Sequence, residues 1–97
     1  MPVGITLWNW TEQGLRNIQG TVARAREANS ALLKAGVKVT TYWTQGRYDM
    51  VSVVEGGPDD ETSTALLMGL LKTGNLRSES LRAFTVDEME RVVKKIP

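Results

Sequence analysis

A chain of 97 residues has material for one hydrophobic core and not for a second. With 41% apolar and 24% charged residues it is neither disordered nor fibrous, and a net charge of +1 with the two signs interspersed gives no face built for nucleic acid or anionic lipid. Cysteine and histidine are both absent, so disulfides, thiolate metal sites and the commonest general base are excluded, and any chemistry falls to carboxylates, Tyr, Lys, Arg or Ser/Thr.

The expected partners are a second copy of the chain and a small molecule, with no cofactor, nucleic acid or membrane. The opening Met1-Pro2-Val3-Gly4 has no basic leader, and no stretch approaches the roughly 18 apolar residues of a membrane span, so a soluble cytoplasmic protein is the expectation.

Val3 to Asn9 alternates, with Val3, Ile5 and Leu7 on one side and Gly4, Thr6 and Trp8 on the other, the period-two pattern of a strand. Thr11 opens a helical region interrupted by Gly14 and Gly20, which predicts a short first turn, an adjustment near Asn17 to Thr21 and a longer helix from Thr21 to Ala35. Ile18, Val22, Ala25, Ala28, Leu32 and Ala35 form its apolar stripe, and Gly36 ends it. Val37 to Thr44 and Tyr48 to Val54, rich in β-branched and aromatic residues, read as a hairpin around Gln45-Gly46-Arg47.

Gly56-Gly57-Pro58 breaks the third strand, and Asp59-Asp60-Glu61 places negative charge at the start of a helix that stops at Gly74. That run is dipole compensation rather than a cation site. The helix is apolar over much of its circumference through Ala65, Leu66, Leu67, Met68, Leu70 and Leu71, which implies a contact beyond its own sheet. Asn75 to Phe84 is the fourth and most polar strand. Thr85 and Glu88 form a capping box before a last helix with a stripe of Val86, Met89, Val92, Val93 and Ile96.

The order β-α-β-β-α-β-α predicts an α+β, ferredoxin-like sandwich, a four-stranded antiparallel sheet in one domain over residues 1–97 with its helices on one face. Ile5, Leu7, Val51, Val53, Leu81 and Ala83 are expected beneath the helices. Thr6, Trp8, Met50, Ser52, Val54, Ser80 and Phe84, with Tyr48 at the hairpin, are expected on the open face, where a second copy would close over a cavity. The two sides of the second strand stay unassigned, since Tyr42 and Trp43 point opposite ways.

Three blocks carry a family resemblance: Asn9-Trp10-Thr11-Glu12-Gln13-Gly14, Tyr42-Trp43-Thr44-Gln45-Gly46-Arg47-Tyr48-Asp49, and Gly74-Asn75-Leu76-Arg77 followed by Leu81-Arg82-Ala83-Phe84. In this order they resemble the GYD domain family over nearly the whole chain, with Gly46, Tyr48 and Asp49 in the place of its namesake residues. The resemblance implies the dimeric α/β-barrel form of the ferredoxin-like fold and no particular mechanism.

The candidate ligand-binding residues are Trp8, Asn9, Trp10, Tyr48, Asp49 and Arg82. Trp8 and Trp10 offer an apolar wall for a flat ligand, with Asn9 between them as a polar contact. Tyr48 and Asp49 offer a hydroxyl and a carboxylate at a hairpin, and Arg82 would favour an anionic group. Packing and turn formation account for the same residues without a ligand. Three functions follow: a homodimeric binding or sensing module with a cavity lined by Trp8, Tyr48 and Arg82; a cofactor-independent enzyme of the monooxygenase, isomerase or dehydratase kind, with Asp49, Glu79 or a Tyr as base; and a structural subunit assembling through the middle helix around Leu66.

Overall fold

The computed structural model describes residues 3–97. Alternation carries Val3–Trp10 as strand β1, and Thr11 then caps the short helix α1, Glu12–Arg16, by accepting from the Gly14 N–H through its side chain. A 3₁₀ turn at Ile18–Gly20 leads into α2, Thr21–Lys34. β2, Val37–Trp43, and β3, Met50–Gly56, follow, then α3, Asp60–Leu71, β4, Leu76–Ala83, and α4, Val86–Lys94. The fold is α+β and ferredoxin-like, with the strands in the order β2-β3-β1-β4 and every neighbouring pair antiparallel. The predicted interruption of the first helical region is present.

Register sorts the side chains into two sets. Ile5 lies opposite Val53 and Leu81, and Leu7 opposite Val51 and Glu79; on the other face Thr6 lies opposite Ser52 and Ser80, and Trp8 opposite Met50 and Ser78. The helices cover the second set. Thr6, Trp8, Met50 and Ser52 are all buried, and α2 bonds to their β2 neighbours on the same face, Asn29 to Thr41 and the Trp43 indole to Thr21.

This reverses the sequence expectation, which put the aliphatic set beneath the helices and the Trp8 set on the open face. Alternation separates a strand's two faces, whereas the right-handed crossovers from β1 to β2 and from β3 to β4 decide which face the helices take. The aliphatic residues Ile5, Leu7, Val51 and Val53 therefore line the open face, only partly shielded, beside Tyr42 and Leu81, which are exposed.

The core is thin. Trp8, Val37 and Met50 are the buried hydrophobic residues among those described. At the far end of β4, α4 carries its apolar stripe into solvent, with Val86 86% and Val93 56% exposed. Its start is fixed by the predicted capping box: Thr85 Oγ1 accepts from the Glu88 N–H at 3.1 Å, and the Glu88 carboxylate accepts from the Thr85 N–H at 3.0 Å. That bond, with help from Arg82, holds the Glu88 carboxyl below its ordinary pKa. Asp59 caps α3 in the same way through the Thr62 N–H and hydroxyl, and its pKa is lowered for that reason.

Candidate functional site

Two places gather polar side chains. The first is the end of the sheet where β1 stops and β4 begins. The Thr11 N–H donates to the Asn75 carbonyl at 3.0 Å, and the Thr11 hydroxyl donates to the Gly74 carbonyl at 2.5 Å. Gln13 Nε2 donates to the Thr73 carbonyl and to Asn75 Oδ1, each at 3.0 Å. Gly14 lies so close beneath this turn that a Cβ there would stand 2.0 Å from the Asn75 carbonyl oxygen, so the position excludes any side chain.

The hairpin loop joins the same junction. Asp49 Oδ2 accepts from the Trp10 N–H at 3.0 Å, and the Asp49 N–H donates to the Trp8 carbonyl at 2.9 Å. With its amide oriented to donate, Asn9 reaches the Arg47 carbonyl at 3.1 Å and Asp49 Oδ2 at 3.3 Å. The Tyr48 hydroxyl donates to Glu79 Oε2 at 2.8 Å, and that bond to a carboxylate raises the Tyr48 pKa above its usual value. Gly46 has φ of +121°, which glycine adopts readily and other residues rarely do.

The second place is a cleft over the buried face of the sheet, between α2 and α3, with volumes of about 470 and 370 Å³ on its two sides. Trp8, Asn29, Ser52 and Leu70 line both sides. A chain of hydrogen bonds runs along its floor: Trp8 Nε1 donates to Ser52 Oγ at 3.0 Å, Ser52 and Thr41 share a bond of 2.9 Å, and Asn29 Nδ2 donates to Thr41 Oγ1 at 3.3 Å. Ala25, Ala28, Leu32, Leu66 and Leu67 supply apolar walls, while Arg24 and Glu27 stand on one side and Asp60 and Arg82 on the other. A cleft of this size and lining suits a small molecule with an apolar body and a few polar atoms.

Comparison with protein-family models finds a match to the GYD domain over residues 5–93 of the 97. The chain belongs to the GYD domain family. No curated protein and no solved structure matches it at a significant level. In this GYD domain the first two blocks and Gly74–Arg77 of the third converge on the β1–β4 junction, where their polar groups bond mainly to backbone or to one another, while Leu81–Phe84 lies at the other end of β4. Gly46 turns the hairpin loop, Tyr48 ties it to β4 through Glu79, and Asp49 ties it to β1.

The six candidate residues therefore separate. Trp8 lines both sides of the cleft, with Arg82 on one and Trp10 on the other. Asn9, Tyr48 and Asp49 belong to the junction instead, so the predicted lining of Trp8 with Tyr48 is not formed: Trp8 is under the helices, while Tyr48 reaches Glu79 on the open face. Tyr48 and Asp49 also precede β3 rather than lying in it.

Arg82 is not a lone cation. It donates to the Val3 and Ala83 carbonyls and to Glu88, and its guanidinium stacks over Phe84 at 4.5 Å. Glu79 is held by the Tyr48 hydroxyl. On α3, Leu66 and Leu67 face the cleft, and Met68, 63% exposed, is an outward member.

Asn29, Thr41, Ser52 and Arg24 were not singled out from the sequence. Ser52 and Thr6 carried a usable signal, as small hydroxyl residues at matching alternation phase with Trp8. Asn29 carried one too, an amide on the apolar side of an amphipathic helix.

Proposed function

We propose that this GYD domain is a small-molecule binding module that works as a homodimer, with the ligand held in the cleft between α2 and α3 rather than on the open face. The observation that carries the proposal is the hydrogen-bonded floor Asn29–Thr41–Ser52–Trp8 beneath apolar walls. Asn29 keeps an amide oxygen for a ligand donor, the Trp8 and Trp10 rings offer flat apolar contact, and Arg24 favours an anionic substituent.

Binding is better supported than catalysis. Asp49 and Glu79, two of the proposed bases, are bonded at the junction and lie outside the cleft lining. A tyrosine base needs a depressed pKa, and the carboxylate beside Tyr48 moves it the other way. The aliphatic open face supports the dimer, because a patch of Ile5, Leu7, Val51, Val53 and Leu81 is costly to leave in water.

Native mass spectrometry of gently purified protein tests both halves. The expected spectrum is a dimer with retained small-molecule mass, and Ala28→Phe, which fills the cleft from α2, should lose that mass and stay dimeric. A bare wild-type dimer that binds nothing from a metabolite extract would overturn the ligand half. A wild-type monomer would overturn the dimer half.

A further inference from the structure

Two apolar surfaces on this chain lack a partner: the open sheet face and the stripe of α4. We infer that each covers the other across two copies, so that α4 is an arm whose stripe, Val86, Met89, Val92 and Val93 continued by Ile96, lies on the open sheet face of a second chain. The inference rests on the dimer proposed above and adds which element crosses over.

Three observations carry it. First, α4 has no extended packing against the sheet or the other helices of its own chain, and the residues of its stripe are exposed. Second, its direction is set. Only Phe84 and Thr85 separate it from β4, the capping box fixes its first turn, and Arg82 ties Val3 of β1 to Glu88 of α4. Folding α4 back over its own open face would have to be made within those two residues and would break the Arg82 tie.

The third observation is area. A compact monomer of 10.7 kDa exposes about 5,500 Å². This chain exposes 7,061 Å². The excess of about 1,600 Å² falls within the roughly 1,000–2,500 Å² that each chain of an obligate dimer buries. A second copy supplies the matching surfaces at equal concentration and by the same contact twice, as a two-fold axis requires.

The absence of cysteine permits a direct test. In Leu7→Cys/Val92→Cys protein, mild oxidation should give a dimer on a non-reducing gel, and the linked peptide should join positions 7 and 92 of different chains. In Val92→Asp/Val93→Asp, sedimentation should show dimer dissociation at least about a hundredfold easier, with the circular dichroism of the fold retained. A 7–92 link within one chain would overturn the arm. So would an unweakened Val92→Asp/Val93→Asp dimer, which leaves the sheet-face dimer standing, whereas a monomeric wild-type protein would overturn both. Monomers that bind anionic vesicles through α4 would assign the stripe to a lipid surface and overturn it as well.

Discussion

The two ends of the sheet are held by different physics. At the β1–β4 junction a glycine without room for a Cβ and a ring of directional hydrogen bonds fix three loops against one another. At the opposite end a capping box and one arginine aim α4 into solvent with its apolar side uncovered. Hydrogen bonds specify a geometry inside one chain, and an uncovered apolar stripe asks for another surface. The difference teaches that the polar residues around Gly46, Tyr48 and Asp49 hold the chain to itself, while the apolar stripe of α4 is left free to meet another surface.

The largest expected effect is at Gly14. Gly14→Ala drives a methyl into the Asn75 carbonyl, and the backbone must separate α1 from the β4 turn; a loss of about 3 kcal/mol or failure to fold is expected, read by urea denaturation at fixed protein concentration. A neutral outcome would remove the claim that the junction is rigid. Asp49→Ala leaves the Trp10 N–H without its acceptor and takes one of two from the Asn9 amide, and should cost about 2 kcal/mol, with Asp49→Asn retaining part of it.

Thr85→Ala removes the cap of α4 and should cost about 1 kcal/mol. That loss should appear as lost helix signal and weaker dimerisation, not as disorder around Trp8, which sharpens the contrast between the ends. Acid should act on the caps in the same local way. The native pKa values of Asp59 and Glu88 are depressed, so their contribution is present above the unfolded value of about 4 and is lost as pH falls through the lower native values. Circular dichroism below pH 4 should show fraying of α3 and α4.

The smallest effect concerns Tyr48. Its native pKa is raised, so its contribution is complete below the unfolded value of about 10 and is lost as pH rises through the native one. Ultraviolet titration should show one tyrosine ionising late, and Glu79→Gln should bring it back toward the ordinary value.

Element order, the Thr85–Glu88 capping box, the negative charge at the start of α3 and the interrupted first helix were legible because each depends on neighbours in the chain, whereas the Asp59 cap on Thr62 was read only as dipole compensation. The orientation of the sheet was not legible. Val3, Ile5 and Leu7 look like a core face by hydrophobicity, yet crossover handedness, a property of the whole fold, put Thr6 and Trp8 under the helices. The cleft was half legible, since Trp8 and Trp10 stood out by size, while Ser52 and Thr41 become functional candidates only once β2–β3 register sets them beneath Asn29. Tyr48 and Asp49 stood out by chemistry and proved to be fastenings.

The fastening between Gln13 and Asn75 joins positions more than 60 apart in sequence, so its closure must wait until both β-α-β halves have paired. The β2–β3 hairpin has no such delay. Assembly should therefore begin at the hairpin and finish at the Gln13–Asn75 contact, and stopped-flow kinetics of Gln13→Ala should leave the refolding rate almost unchanged while accelerating unfolding. The Gln13–Asn75 fastening would then be the last to lock, which makes it a checkpoint on completed folding.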